Sequence, residues 1–428
     1  MKTVHAHHRT PRWLLALLLA ALATIGPFAV DTYMPAFGGM AQDLHATTLE
    51  MQQTLSVYLG AFAFMFLFHG ALSDSYGRKP VILVGLTIFA LASIGCALSQ
   101  SIGQLIFFRA LQGASVGCAL SQNIGQLILF RALQGASVGA GMVVGRAMIR
   151  DLFDATEAQK MMSMVTLWFG LAPAVAPIIG GHLYTWFGWQ SIFWFMAIVT
   201  LLLIVMSHFG FHETLPEERR HSFRPSPLLL GYREVGASPK FLLLSLAVGL
   251  NFNGFFLYIL SAPVFLPEHL GLGPQQYAWL FLPGIAGIML GAYLSGRAAG
   301  KLTPHQTVAR GYYFMCAAAV GNLVYTLWLP PQVPWAIIPI FFYAIGSAMA
   351  MPSIALRVLD LFPTRRGMAA SLMGFVSGII NTVVAGVISP AVSHSPIWLA
   401  IMMAVILASG LLCWIAYLRL SHAAKLKG

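Results

Sequence analysis

Asp31 and Arg131 are charged residues inside long apolar segments, where a charge is costly and rarely occurs without a function. Asp31 lies near the end of the first apolar segment, in Asp31-Thr32-Tyr33-Met34-Pro35. Arg131 begins Arg131-Ala132-Leu133-Gln134-Gly135 in a later segment. A carboxyl in an apolar interior can carry a proton, and a nearby arginine binds its charged form. We predict that this pair couples proton movement to a conformational change; the alternative is that Asp31 lies in water at a membrane surface.

A second charged group follows the next apolar segment, in Gly70-Ala71-Leu72-Ser73-Asp74-Ser75-Tyr76-Gly77-Arg78-Lys79-Pro80. Gly70 permits close helix contact, Gly77 permits a tight turn, and Asp74 can pair with Arg78. We predict that Gly70, Asp74, Gly77 and Arg78 form a latch between conformations. The alternative is a basic loop that only sets the orientation of the helices.

Prolines and glycines cluster in Gly170-Leu171-Ala172-Pro173-Ala174-Val175-Ala176-Pro177-Ile178-Ile179-Gly180-Gly181. Pro177 removes a backbone hydrogen bond, and the paired glycines let another helix approach closely. We predict a hinge at Pro173, Pro177, Gly180 and Gly181. Ordinary helix packing is the alternative, because Gly and Pro are common in membrane helices.

The composition shows what must position these residues. Of 428 residues, 58% are hydrophobic and 9% are charged, whereas roughly a quarter are charged in a soluble domain. A helix needs roughly 20 apolar residues to cross a membrane. The sequence therefore predicts an all-α membrane protein of twelve spanning helices, at residues 13–35, 52–70, 80–100, 124–147, 161–181, 190–209, 241–263, 276–297, 308–328, 335–357, 367–389 and 397–418.

The basic residues predict the orientation of the chain. Most of them follow even-numbered spans, as Arg78, Lys79, Arg219, Arg220 and Arg366 do, whereas most odd-numbered loops have no Lys or Arg. By the positive-inside rule both termini are cytoplasmic. This distribution accounts for the net charge of +11, so that we expect no nucleic-acid partner.

A polar, proline-containing segment after the sixth span predicts a linker. We expect an N-terminal six-helix half at residues 1–210, a cytoplasmic linker at 211–239 and a C-terminal six-helix half at 240–428. The N-terminal half contains a 22-residue tandem duplication within residues 95–138, in which Gly95–Val116 recurs as Gly117–Val138 with two differences. A thirteenth span would invert the charge pattern of every later loop. We therefore expect the surplus to form an excursion outside the membrane or an overlong helix.

These motifs resemble those of a known family. The Gly70–Pro80 segment resembles motif A of the major facilitator superfamily, and Arg131–Gly135 resembles motif B, which is associated with proton coupling. The Gly170–Gly181 segment is similar to the antiporter motif C, with Ala176-Pro177 where Gly-Pro is usual. The Asp31 segment, motif A and the Arg131 segment, together with Arg146, Arg150-Asp151 and Arg366-Gly367-Met368-Ala369-Ala370-Ser371, resemble the bicyclomycin/chloramphenicol resistance (Bcr/CflA) family.

The resemblance implies a proton-coupled antiporter of the bacterial inner membrane that exports small amphipathic drugs by alternating access. It implies the proton gradient as energy source and no cofactor or metal. We also expect a monomer. Another carrier of the same fold, for a metabolite or nutrient, is the alternative. An enzyme is not expected, because no cluster of catalytic acids, His or Cys is evident. Polar and aromatic residues that could line a substrate cavity, or only pack helices, are Tyr33, Gln53, Tyr58, Asn251, Asn253, Tyr258 and Asn381.

Overall fold

A computed structural model describes residues 12–98, 100–104, 145, 148–149, 152–153, 155–220, 225–298 and 301–426. The residues in these ranges form helices and turns, without any β-strand. The described helices before the linker are α1 (Arg12–Asp31), α2 (Phe37–Asp43), α3 (Thr48–Met65), α4 (His69–Tyr76), α5 (Arg78–Ala97), α6 (Ala155–Phe187) and α7 (Gln190–Gly210).

The second set begins in the linker. It consists of α8 (Pro225–Gly236), α9 (Pro239–Leu260), α10 (Ala278–Ala298), α11 (Pro304–Trp328), α12 (Ile338–Asp360), α13 (Arg366–Val383) and α14 (Pro396–Leu426). Two of these helices are extended by segments that include a π-helical turn. α9 is extended by Ala262–Val264 and the π turn Phe265–His269, and α13 by the π turn Val384–Ile388 and Ser389–Val392.

The helices agree with the all-α membrane fold predicted from the sequence. Within the described ranges, eight helices are long and apolar enough to span a membrane, and α3 with α4, bent by 53°, makes a ninth. Eleven of the twelve predicted spans coincide with described helices. Most of the fourth, at 124–147, and most of the duplicated segment lie outside the described residues.

The first span is longer than the sequence predicted. It runs from Leu17 to Asp43, because a 3-10 turn and α2 continue it beyond Pro35. Asp31, near the end of the predicted span 13–35, therefore lies well inside the longer span that the structure shows. Phe37 and Met40, on either side of Gly38 and Gly39, are buried and hold α2 in the bundle.

Small residues bring the C-terminal helices into backbone contact. A Cβ on Gly287 of α10 would lie 2.6 Å from the carbonyl oxygen of Phe341 on α12. A Cβ on Gly311 of α11 would lie 2.7 Å from the Gly346 carbonyl oxygen on the opposite side of α12. Such close approach is how membrane helices gain packing energy where lipid provides no hydrophobic driving force.

The linker packs onto both sets of helices. The Tyr232 hydroxyl of α8 donates to the carbonyl of Leu67, between α3 and α4, at 2.7 Å. Glu234 of α8 forms an ion pair with Arg365, just before α13. We call the end of the bundle where α7 ends and α9 begins the linker end, and the opposite end, where α6 meets α7, the distal end.

Candidate functional site

The backbone of the first span is interrupted at Asp31. α1 ends at this residue, and the chain turns through Thr32 and Tyr33 before the 3-10 turn Met34–Ala36. Pro35 has no N–H to donate to the Asp31 carbonyl four residues earlier, which explains why the α-helix stops here. Asp31 therefore lies at a break in the middle of a membrane span, with 4% of its surface exposed.

The interrupted segment is held by α3 and α6. The Tyr33 hydroxyl lies 3.0 Å from the Thr54 hydroxyl of α3, and the Tyr58 hydroxyl of α3 donates to the Gly26 carbonyl of α1 at 3.4 Å. On the other side, the Thr32 carbonyl occupies the space where Gly180 of α6 would carry a Cβ. The backbone next to Asp31 is thus packed against α6 without an intervening side chain.

A buried carboxylate costs several kcal/mol unless it is paired or protonated. Asp31 is almost fully buried, so that its charged form needs a partner in the interior. Arg131, the partner predicted from the sequence, lies outside the described residues. The coupling of Asp31 with Arg131 is therefore a proposal.

Hydrogen bonds cross from α3 to the continuation of α13. The Gln53 side-chain amide donates to the Gly386 carbonyl at 2.8 Å, and the Ser56 hydroxyl donates to the Thr382 carbonyl at 3.0 Å. Both acceptors lie in or beside the π turn Val384–Ile388. We call this contact between α3 and the extended α13 the α3/α13 seam.

The seam extends to residues that the sequence did not single out. The Gln52 amide lies 3.3 Å from the Ser389 hydroxyl, which is 2.8 Å from the Ser261 hydroxyl at the end of α9. All three residues are buried. The adjacent glutamines Gln52 and Gln53 in an apolar helix indicated a polar contact here, but only Gln53 was predicted as a cavity residue.

The predicted hinge residues lie in one continuous helix. α6 runs through Pro173 and Pro177 and ends at Phe187. Gly180 contacts α1 at Thr32, as described above, and its neighbour Gly181 contacts the C-terminal half: a Cβ on Gly181 would overlap the carbonyl oxygen of Pro274. The two glycines therefore connect the Asp31 segment with the loop that precedes α10.

At the linker end, the predicted latch residues Gly77 and Arg78 contact Glu213. Arg78 forms an ion pair with Asp74 at 2.5 Å and donates to the Ser73 hydroxyl at 2.6 Å. The Glu213 carboxylate accepts the backbone N–H groups of Arg78, at 2.9 Å, and Lys79, at 3.2 Å, at the start of α5. The carboxylate thus satisfies helix N-terminal donors that would otherwise have no partner.

Gly77 and Gly70 differ in their surroundings. Gly77 has φ +97°, and a Cβ there would lie 2.6 Å from Glu213 Oε2, so that both its backbone conformation and its neighbour require glycine. A Cβ on Gly70 would meet no described atom within 4 Å. Glu213 was missed in the sequence, where an acid among the basic residues of the linker was the only signal.

The remaining cavity candidates lie in contacts between C-terminal helices. The Asn251 amide of α9 donates to the Tyr312 hydroxyl of α11 at 2.9 Å, and the Asn322 amide of α11 donates to the Tyr258 hydroxyl of α9 at 2.7 Å. Asn253 of α9 donates to Asn381 of α13 at 2.7 Å.

Their exposure separates these candidates. Asn251, Asn253 and Tyr258 are buried among helices of one half, whereas Asn381 is half-buried on α13, beside the α3/α13 seam. Among these four, only Asn381 stays in the cavity set that we propose. Tyr33 and Tyr58 are equally buried, but they stay in that set because they hold the Asp31 segment, and Gln53 stays because it crosses between the halves.

A polytopic helical bundle with an interrupted, acid-bearing first span has the architecture of a secondary membrane transporter. The sequence model of the Major Facilitator Superfamily matches residues 13–122 and 114–385. The chain belongs to this superfamily. The two matches overlap at residues 114–122, inside the duplicated segment.

Relatives with assigned names support the resemblance to the Bcr/CflA family. The chain is 28% identical to multidrug resistance protein D of Escherichia coli over 95% of this chain and 97% of the relative. It is 26% identical to a bicyclomycin resistance protein homolog of Haemophilus influenzae, covering 88% and 89% of the two chains. An uncharacterized MFS-type transporter, YdgK of Bacillus subtilis, is 30% identical over 87% and 88%.

Solved structures agree on the fold. A bacterial homolog of the human lysosomal transporter Spinster, crystallised in an inward-facing and occupied conformation, superposes with a TM-score of 0.69. The alignment covers 96% of this chain and 97% of that one at 16% identity. The prediction of a major facilitator fold with two six-helix halves is confirmed.

Proposed function

We propose that this transporter exports small amphipathic drugs in exchange for protons. The observation that carries the proposal is the burial of the Asp31 carboxyl at the break in the first span. Relatives that cover nearly the whole chain are named for multidrug and bicyclomycin resistance. In the proposed coupling step, Asp31 pairs with Arg131 when its carboxyl is charged, and protonation of the carboxyl breaks this pair.

A sequence of contacts could transmit that step to the opposite half. Asp31 is next to Thr32, whose carbonyl packs against Gly180, and the adjacent Gly181 packs against Pro274 of the C-terminal half. A movement of the interrupted segment therefore displaces α6 at the point where α6 touches the other half. Alternating access then follows as one half rocks against the other around the central substrate site.

The linker-end cluster fits the proposed role of a latch. Asp74 and Arg78 join α4 to α5, and Glu213 joins this turn to the chain that follows α7. An ion pair at a helix end can hold one arrangement and release another. We propose that Gly70, Asp74, Gly77 and Arg78 act here together with Glu213.

The arrangement in the cell belongs to the same proposal. We place the chain in the bacterial inner membrane with the linker end in the cytoplasm, since the basic residues concentrate there. We divide it into halves at 1–210 and 240–428 with a linker at 211–239. We expect it to act as a monomer, with drugs and protons as its ligands and the bilayer as its surroundings.

The test is proton release on addition of drug. The assay uses everted vesicles that carry a proton gradient and a pH-sensitive dye. It compares wild type with Asp31→Asn and Asp31→Glu. The control is Asp43→Asn, which changes an acid in the same span but at its distal end. We expect wild type and Asp43→Asn to show drug-dependent proton efflux, Asp31→Asn to lose it, and Asp31→Glu to retain part of it.

Each other outcome rejects a stated part of the proposal. Coupling that survives in Asp31→Asn would reject Asp31 as the coupling site. Drug export that continues after the gradient is collapsed would reject antiport. If the proton flux depends on Asp31 but only a metabolite or nutrient starts it, that compound and not a drug is the substrate.

A further inference from the structure

A long groove lies on the outer surface of the C-terminal half, away from the Asp31 segment and the α3/α13 seam. It has a volume of about 870 Å³. One wall is a stripe of α11 and the other is formed by the α11–α12 connection and the first turns of α12. The lining residues are Tyr313, Phe314, Ala317, Ala318, Gly321, Tyr325, Leu329, Pro330, Gln332, Trp335, Ile338, Pro339 and Phe342. We call it the α11/α12 groove.

The shape of the groove follows from residue size along α11. Its lining includes the small residues Ala317, Ala318 and Gly321 of α11, together with larger aromatic residues such as Tyr313 and Phe342. A Cβ on Gly321 would meet no described atom within 4 Å, so that the space above it is open. The small residues are therefore not used to bring another described helix close.

The position of the groove identifies its surroundings. α11 and α12 belong to the membrane-spanning bundle, and the apolar side chains around the groove are exposed, with Tyr313 at 74%, Val320 at 63% and Trp335 at 60%. In a membrane protein such a surface faces hydrocarbon. The groove is thus continuous with the lipid-facing belt of the bundle.

Its polarity changes from one end to the other. No charged residue of the described part of the chain lines it, and most of its length is apolar. Polar groups gather at the distal end, where the Tyr325 hydroxyl donates to the Pro330 carbonyl at 2.9 Å and accepts the Gln332 N–H at 3.0 Å. Trp328 and Trp335 stand exposed beside them, as aromatic residues do at a membrane surface.

The length suits an acyl chain. From Tyr313 to Leu329 the groove follows α11 for roughly 24 Å at 1.5 Å per residue. One leaflet of hydrocarbon is about 15 Å thick, half of the 30 Å core. An acyl chain of the leaflet at the distal end fits within the groove, and its headgroup region reaches Gln332 and Trp335.

We propose that the α11/α12 groove binds one membrane phospholipid, with an acyl chain along Ala317 and Gly321 and the headgroup at the distal end. This site is separate from the transport pathway. It holds the lipid longer than the rest of the lipid-facing surface does, because the chain is contacted on two sides.

The experiment fills the groove and counts bound lipid. Wild type, Gly321→Trp and Gly321→Leu are purified from nanodiscs of defined phospholipid, extracted into mild detergent and measured by native mass spectrometry. Val320→Trp is the matched control, since Val320 is adjacent in sequence but does not line the groove. We expect wild type and Val320→Trp to retain one phospholipid, and both Gly321 variants to lose at least four fifths of it.

A second measurement locates the lipid without a mutation. A phospholipid with a diazirine in its acyl chain is photolysed in nanodiscs that contain the wild-type chain, and the labelled peptide is sequenced. Labelling concentrated on residues 317–325 is expected. The proposal is overturned if all four proteins retain lipid equally or if the labelling is spread evenly over the spanning helices. It is also overturned if wild type forms dimers without bound lipid and Gly321→Trp abolishes these dimers.

Discussion

The side-chain amide of Gln53 on α3 donates to the backbone carbonyl of Gly386 beyond α13, at 2.8 Å. In a regular α-helix that carbonyl would accept the N–H of residue 390, but residue 390 is proline and has none. The helix is drawn into a π turn at this position, as is frequent at functional sites. A proline in one half therefore leaves an acceptor that a glutamine of the other half uses.

Replacing Gln53 by leucine removes this bond while keeping the size of the side chain. A single hydrogen bond contributes about 1 kcal/mol, so that we expect roughly a fivefold shift toward forms open at the distal end. Spin labels at the exposed residues Leu49 and Leu329, in a background without native cysteines, measure the distance distribution between the halves. Gln42→Leu, at an exposed site on α2, is the control, and an unchanged distribution in Gln53→Leu would show that the bond does not hold the seam.

The fold could be predicted from hydropathy and charge, because a spanning helix needs a long apolar run and loops carry their basic residues on one side. The depth of Asp31 within the membrane span could not be predicted from the sequence. The length of the first span depends on whether Phe37 and Met40 are buried by other helices, which no local pattern around Gly38 and Gly39 reveals. The break at Asp31 was signalled by Pro35, yet the same proline also fits a helix end.

The carboxylate of Glu213 accepts three backbone N–H groups, those of Arg78, Lys79 and Leu215. Glu213→Gln keeps one acceptor oxygen and places an NH₂ group against the N–H donors. The variant thus loses hydrogen bonds to a charged acceptor, each of which contributes roughly 1.5–3 kcal/mol. We expect the Arg78 and Lys79 amides to exchange hydrogen at least tenfold faster. Hydrogen exchange with mass spectrometry of the peptide that contains both residues measures this.

The control for this variant is Glu217→Gln in the same linker. The Glu217 side chain is 85% exposed and lies 3.6 Å from Arg220, so that a change there should leave the exchange at Arg78 and Lys79 as in wild type. If both variants accelerate exchange equally, the general charge of the linker and not the Glu213 contact stabilises the start of α5.

Asn251 distinguishes a packing role from a substrate role. Its amide joins α9 to the Tyr312 hydroxyl of α11, and that hydroxyl donates to the Gly410 carbonyl of α14 at 3.1 Å. Asn251→Val removes this connection and is expected to lower stability by about 1–3 kcal/mol. Thermal unfolding in detergent should show a lower Tm, while the relative export rates of different drugs by the folded fraction stay unchanged.

Asn381→Val provides the comparison, since Asn381 is half-buried beside the seam. We expect a smaller loss of Tm and a changed order of drug preference. An Asn251 variant with normal Tm and an altered preference would instead place Asn251 in the cavity.

The sequence could not separate these two asparagines. Both stand in apolar helices, where an amide can serve either a ligand or a neighbouring helix. Which one applies depends on the rotation of α9 and α13 about their axes within the bundle, and that rotation is fixed by packing, for example by Gly249 against Ser377. Helix type and length are local properties, whereas helix rotation is not.

Gly180 and Gly181 are neighbours that touch different halves of the molecule, and this makes their alanine variants differ. A Cβ on Gly181 would overlap the Pro274 carbonyl of the C-terminal half. Gly181→Ala should therefore separate the halves at the distal end, with a longer Leu49–Leu329 distance, and leave the N-terminal half intact. A Cβ on Gly180 would overlap the Thr32 carbonyl inside the N-terminal half. Overpacking in Gly180→Ala should therefore lower the free energy of unfolding by about 1–3 kcal/mol, and with it the Tm.

Gly170→Ala is the control in the same helix, because a Cβ on Gly170 would meet no described atom within 4 Å. It should match wild type in Tm and in the distance between the spin labels. If Gly181→Ala matched it in both, the contact with Pro274 would have no part in closing the distal end. If instead Gly181→Ala lowered the Tm as much as Gly180→Ala without changing the distance, Gly181 would be a packing residue, and the connection from Asp31 through α6 to the C-terminal half would end at Gly180.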